Sequence, residues 1–190
     1  MHWQVGQCSS EDAAKTMVQA FVISRLDYCK CNALCYGITN ELTRCLQSVQ
    51  NAAARLVTGT RRCVHISPVL RQLLQWLPVR QRVVFKIATL VYRSLSGNAP
   101  DYLADDCQLV ADARVRQLRS ADTRTFVVSR TRSSFGDRTF ATAGSQVWNS
   151  LPPNLRLCRL SCDQFRRLLK TFLFRQWGNG AVWTVFNCAE

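Results

Sequence analysis

From Val79 to Leu95 the residues Val79, Val83, Val84, Ile87, Leu90, Val91 and Leu95 recur at helical spacing, a period that an α-helix turns into one continuous apolar face. Arg82, Lys86, Thr89 and Arg93 fall largely on the other side. A chain built on such a stripe must cover it, so folding begins here as a helix-packing problem. The same spacing returns at Leu42, Cys45, Leu46, Val49, Ala53, Leu56 and Val57, in a helix expected to start after Asn40 and to end at Gly59, where glycine suits a left-handed cap. Upstream, Ser9 or Ser10 can cap a first helix, with Glu11 and Asp12 placed at the positive end of its dipole. That helix is expected to bury Met17, Val18, Phe21, Val22 and Leu26 and to pack antiparallel to the second.

Ser67 followed by Pro68 predicts a short helix over 68–75, because proline at the first helical position gives up a donor that would be unpaired anyway. Gly97 to Pro100 reads as a loop, and Asp101 to Asp106 as one or two helical turns. Residues 108–123 are polar and arginine-rich with no clear period, which reads as an exposed linker. Thr125, Phe126, Val127 and Val128 predict a strand, and Phe135, Gly136 and Asp137 a turn before a partner strand at Arg138 to Phe140. Ala141 to Ser150 reads as a helix ended by Leu151, Pro152 and Pro153. The last helix opens with a capping box, Ser161 and Gln164, and carries Phe165, Leu168, Leu169, Phe172 and Leu173 opposite Arg166, Arg167 and Lys170. The expected fold is mainly α, a helical domain with a small β hairpin in its second half. Residues 9–96 form a helical subdomain, 97–123 a connecting segment, 124–174 the β hairpin plus terminal helices, and 175–190 a tail.

Composition enters through charge. Against 25 Lys plus Arg there are 12 Asp plus Glu, a formal net charge of +13, and so one-sided a balance implies a polyanionic partner. Arginine supplies 21 of the 25, and its planar fork suits phosphates and bases better than solubility alone requires. Residues 61–190 hold twenty basic and eight acidic side chains, and residues 1–60 only five and four. The anion-facing part is therefore expected in the second part of the chain. The candidate nucleic-acid-binding residues are Arg61, Arg62, Arg80, Arg82, Lys86, Arg114, Arg116, Arg119, Arg124, Arg130, Arg132 and Arg138. Trp76, Phe126, Phe135 and Trp148 lie among them as candidates to stack on an unpaired base, or else as core.

Catalytic chemistry finds little footing. Two-metal chemistry needs carboxylates that hold ions about 4 Å apart; Asp105 and Asp106 are adjacent but read as a solvated helix end. The only histidines are His2 and His65, too few for a convincing nucleophile and base. Ten cysteines include Cys29, Cys31 and Cys35 close together, Cys63 two residues before His65, and Cys158 four before Cys162. None has paired zinc-finger spacing, and Cys29, Cys31 and Cys35 are the best of a weak set of ligands. Met1 to Ser10 lacks the basic start and apolar run of a signal peptide, so reduced thiols and an intracellular location, nuclear or cytoplasmic, are expected. No metal, cofactor, small-molecule substrate or membrane is expected as a partner; RNA or DNA is.

A series of words runs through the chain: Ser24-Arg25-Leu26-Asp27-Tyr28-Cys29, Asn32-Ala33-Leu34 with Tyr36-Gly37, Leu46-Gln47, and Gln50-Asn51-Ala52-Ala53-Ala54-Arg55-Leu56-Val57. They continue through Trp76-Leu77-Pro78-Val79 with Arg82, Phe85-Lys86-Ile87, and Ala99-Pro100 with Tyr102-Leu103. Gly136-Asp137-Arg138 with Phe140, Trp148-Asn149-Ser150-Leu151-Pro152, and Phe165 with Leu169-Lys170-Thr171 and Leu173-Phe174 complete them. In this order they resemble the C-terminal, post-polymerase region of reverse transcriptases from LINE-type non-LTR retrotransposons of the jockey and chicken-repeat group.

The resemblance implies a non-catalytic fragment of an RNA-directed DNA polymerase of a transposable element, a basic tail accessory to RNA-templated DNA synthesis. No catalytic residue carries over, because no position here matches the polymerase motifs. The alternatives are a helical protein-interaction platform that docks the polymerase domain, or a decayed copy with no activity. The Cys29-Lys30-Cys31 insertion, Gln75 where the family has histidine, and residues 175–190 depart from the family pattern.

Overall fold

The computed structural model describes residues 13, 15–24, 35–110, 124–133, 135–156 and 160–178. The chain divides into two compact units, Met1–Lys30 with Ile38–Arg80, and Cys31–Gly37 with Gln81–Glu190. It is mainly helical. The α-helices of five residues or more among the described residues are α1 (Asn40–Thr58), α2 (Val79–Leu95), α3 (Asp101–Asp105), α4 (Phe140–Ser150) and α5 (Cys162–Gly178).

In the first unit, Thr39 caps α1 and Gly59 closes it in the left-handed conformation, with φ +63°, as the glycine predicts. The expected upstream helix is present over its described part, wound as a π-helix at Val18–Ile23. Val18, Ala53 and Val57 form a small core there, with Val22, Leu46, Leu74 and Trp76 packed round it. Met17 and Phe21 do not join it; both are exposed. Ser9, Ser10, Glu11, Asp12 and Leu26 lie outside the described residues.

The face of α1 differs from the expected one. Its buried residues are Thr43, Gln50, Ala53, Ala54 and Val57, whereas Leu42, Cys45, Val49 and Leu56 are exposed. The reason is polar. Gln50 is wholly buried and its Nε2 donates to the Leu77 carbonyl at 2.9 Å. One turn earlier, Gln47 Oε1 accepts from Val79 N at 2.9 Å, and Asn40 accepts from Arg80. Three amide side chains of α1 thus hold the stretch 77–80 and satisfy a backbone donor at the start of α2 that has no helical partner of its own. With those bonds in place Ala53, Ala54 and Val57 are buried and Leu46 packs on the core, while Leu42 and Leu56 face out.

The Ser67-Pro68 helix begins at Ile66, runs through Pro68, and continues as a π-helix over Val69–Leu73. Ile66, Val69 and Leu70 are its buried side. Trp76 N reaches back to the Leu70 carbonyl at 2.8 Å, and Gln75 ends the turn with φ +50°, a conformation uncommon outside glycine.

The second unit closes on aromatics. Tyr92 of α2 stacks on Phe165 of α5, with ring centroids 4.2 Å apart. Trp148 of α4 lies 6.0 Å from Phe165 and meets Phe126 edge-on at 5.9 Å. Around them Ile87, Val91, Ala143, Val147, Leu151, Leu155, Leu169 and Leu173 are buried. The predicted stripe of α2 therefore holds, with Val84, Leu90 and Leu95 half-buried at its margin. Gly144 lets α4 approach α2, since a β-carbon there would stand 3.1 Å from Val91 Cγ2. The capping box of α5 forms in both directions, Gln164 N to Ser161 Oγ at 3.2 Å and Ser161 N to Gln164 Oε1 at 3.0 Å.

The β hairpin expected over 124–140 is not supported. Among the described residues there is no strand, only an isolated antiparallel bridge between Leu109 and Phe126. Val110 N donates to the Thr125 carbonyl at 2.9 Å and Val127 N to the Gln108 carbonyl at 3.0 Å. Phe126 has its own N–H and C=O taken by the carboxamide of Asn149, both at 2.9 Å. One side chain thus stands in for the missing strand. The intended partner, Arg138 to Phe140, lies instead in the 3-10 turn Gly136–Arg138 and the start of α4.

Candidate nucleic-acid interface

Of the twelve basic residues expected to meet nucleic acid, Arg114, Arg116 and Arg119 lie outside the described residues. Arg61 and Arg62 are exposed on the turn after α1, where Val64 N donates to the Arg61 carbonyl at 3.1 Å. Arg80 is half-buried against Asn40. Arg82 and Lys86, four residues apart on α2, are half-buried neighbours on one face. Arg124 is half-buried with φ +41°, and its carbonyl accepts from Trp148 Nε1 at 2.9 Å. The role of Arg124 here is backbone support for the aromatic core.

Arg130, Arg132 and Arg138 belong to one turn of the chain. Thr131 hydrogen-bonds to the Asp137 carboxylate, and Asp137 N donates to the Ser133 carbonyl at 3.2 Å. A β-carbon on Gly136 would lie 2.9 Å from Thr131 Cβ. The chain therefore doubles back tightly between 131 and 137, and only glycine fits at the crossing. Arg130 and Arg132 flank Thr131 and are exposed, while the Arg138 guanidinium donates to the Gly37 carbonyl at 3.3 Å and sits 5.6 Å from the centre of the Phe135 ring.

The four aromatics separate sharply. Trp148 is 0% and Phe126 2% exposed, and Trp76 packs on the core of the first unit. Phe135 is 77% exposed. Three of the candidates for base stacking are core; one is available.

Near this turn, Tyr36 donates to Gln146 Oε1 at 3.3 Å. Burial, helped by the Asp137 charge, pushes its hydroxyl up to about 12. Cys107 is likewise pushed up to about 11 by burial and then by Asp106, so it is a protonated, poorly nucleophilic thiol at neutral pH. Asp105, Asp106, Cys63 and His65 are exposed. Cys29 and Cys31 lie outside the described residues and Cys35 is half-buried; among the described residues no three His, Cys, Asp or Glu side chains gather as metal ligands. Among them too, no helix is long and apolar enough to cross a membrane.

A second surface, not anticipated from the sequence, lies on α1. Leu42, Cys45, Val49, Ala52 and Leu56 are all exposed and alternate three and four residues apart, the spacing of a coiled-coil seam. That strict alternation was the available signal. It was masked by Leu46, Ala53 and Val57, which share the helix but face the core.

Compared with models of known protein families, with curated proteins and with solved structures, the chain matches none.

Proposed function

We propose that the chain is a non-catalytic, basic nucleic-acid-binding module, the tail of a non-LTR retrotransposon reverse transcriptase that assists RNA-templated DNA synthesis inside the cell. The observation that carries this reading is the +13 charge together with the exposed arginines Arg61, Arg62, Arg130 and Arg132. Arginines neutralise phosphates and release counterions, so binding is sequence-tolerant and falls steeply with salt. The test is a titration of the whole chain against structured RNA, single-stranded DNA and duplex DNA at two salt concentrations. Saturable binding with a slope worth about four or more phosphates supports it; binding no better than a charge-matched unfolded control rejects it.

A second reading, a helical platform that docks a reverse transcriptase domain, is favoured by the seam on α1. Five apolar residues in register on one exposed face are more than scattered surface residues require. Leu42→Lys with Leu56→Lys would abolish that docking and leave nucleic-acid affinity unreduced, which separates the two readings in a pull-down with a purified reverse transcriptase domain.

A further inference from the structure

We infer that Phe135 is a stacking platform for an unpaired nucleobase, which makes single-stranded nucleic acid the preferred partner of the basic turn at 130–138. The inference rests on the nucleic-acid reading above and narrows it. Phe135 is the most exposed large apolar side chain among the described residues, at 77%, and in sequence it lies between Arg130 and Arg132 on one side and Arg138 on the other.

The ring is presented rather than merely left outside. Its turn is closed by Arg138 N donating to the Phe135 carbonyl at 3.1 Å and by Thr139 N donating to the Gly136 carbonyl at 3.1 Å. Gly136 N donates to Ser133 Oγ at 3.2 Å, Thr139 Oγ1 donates to the Gly136 carbonyl at 2.8 Å, and Thr131 is bonded to Asp137. A turn so braced loses little further freedom when a ligand arrives, which lowers the entropic cost of binding. The Arg138 guanidinium is already placed over the ring, as a cation–π pair that polarises it.

A base stacked on Phe135 then finds its phosphates beside Arg130 and Arg132, which the doubling back of Thr131 onto Gly136 carries to the same turn. The local acid, Asp137, is bonded to the Thr131 hydroxyl. Aromatic ring plus guanidinium groups is the chemistry that holds single strands without sequence preference. Duplex bases are stacked on each other and offer no face to the ring, so the platform discriminates strandedness.

The experiment is fluorescence anisotropy of a labelled oligothymidylate of about a dozen nucleotides, a length on the scale of single-strand sites, and of a duplex, with the full chain and its Phe135→Ala, Phe135→Leu and Phe135→Trp variants. Because the side chain is exposed, its removal leaves the fold intact, which thermal unfolding by circular dichroism verifies. Phe135→Ala and Phe135→Leu are expected to weaken single-strand binding by about 5- to 150-fold, the range for loss of one stacked base. Phe135→Trp is expected to retain it, and duplex binding stays within twofold. Arg130→Ala with Arg132→Ala should lower the salt slope by about 1.4, two single-strand phosphates. If the wild-type chain binds the oligonucleotide and Phe135→Leu binds it equally well, the platform is overturned while the nucleic-acid reading stands. If the wild-type chain binds no nucleic acid at all, both fall.

Discussion

The two units solve the problem of burying side chains in opposite ways. The second gathers Tyr92, Phe126, Trp148 and Phe165 into one core and surrounds them with aliphatics. The first buries small and aliphatic side chains, among them Val18, Ala53, Ala54, Val57, Ile66, Val69, Leu70, Leu77 and Val79, along with the amide of Gln50, and leaves Met17, Phe21, Leu42, Val49, Leu56, Val64 and Leu73 in solvent. Burying one aromatic ring removes 150–250 Å² from water, on the order of several methyl groups' worth. The second unit therefore centres on an aromatic core, whereas the first buries aliphatic side chains and leaves one apolar face of α1 in solvent. Amide bonds, not bulk, decide which way α1 faces.

The hardest blow to this contrast is dealt at its centre. Trp148→Ala should destabilise the second unit by about 3–5 kcal/mol, the range for a fully buried aromatic, read as a shift in the urea midpoint. A loss under about 1 kcal/mol, the scale of ordinary point changes, would mean that the aromatic cluster is not the core.

Asn149→Ala is next. It strips the Phe126 N–H and C=O of their partners, and two groups left unpaired near the core should cost about 2–4 kcal/mol. Asn149→Asp keeps the acceptor but not the donor and should fall between the two, as chemical denaturation would show.

A smaller effect comes from alkali. Tyr36 and Cys107 are neutral when protonated, and their folded values lie above the ordinary 10.0 and 9.0. Their contribution is complete below pH about 9, because neither state ionises there, and is lost as pH rises toward 11 to 12 and the unfolded chain releases its protons first. Urea midpoints at pH 8 and pH 11 should differ less in the Tyr36→Phe, Cys107→Ser double variant than in the wild type. An equal fall in both would assign the alkaline loss to other groups.

The smallest effect is expected where a sequence reading would expect a large one. Val49→Gln and Leu56→Gln should change stability by no more than about 0.5 kcal/mol, the scale of surface substitutions. A cost above about 2 kcal/mol, the range for truncating a core leucine, would show that this face is covered after all and would erase the difference between the units.

Much of the helical layout was legible. The stripe of α2, the glycine that ends α1, the proline break after α4 and the capping box of α5 are local signals, set by period and by backbone chemistry within a few residues. That the expected hairpin does not form was not legible, since Thr125 to Val128 has strand-like residues whichever partner they find. That the partner was the side chain of Asn149 depends on a residue more than twenty positions away. The candidate site shows the same divide. Phe135 was one of four aromatics interleaved with arginines, and composition made all four equivalent.

The sequence by itself determined that this protein is helical, where most of its helices stop, and that its net charge is +13. Those properties are sums or short-range patterns, and neighbours along the chain suffice to set them. Which face of α1 is buried, which aromatic is exposed, and what satisfies Phe126 were decided only by tertiary structure. Each depends on a directional hydrogen bond or a close approach between distant residues, Gln50 to Leu77, Asn149 to Phe126 and Gly136 to Thr131. A single such bond can offset the preference of one apolar side chain for the interior, because an unpaired buried amide costs about 1–3 kcal/mol and one exposed leucine forgoes a comparable sum.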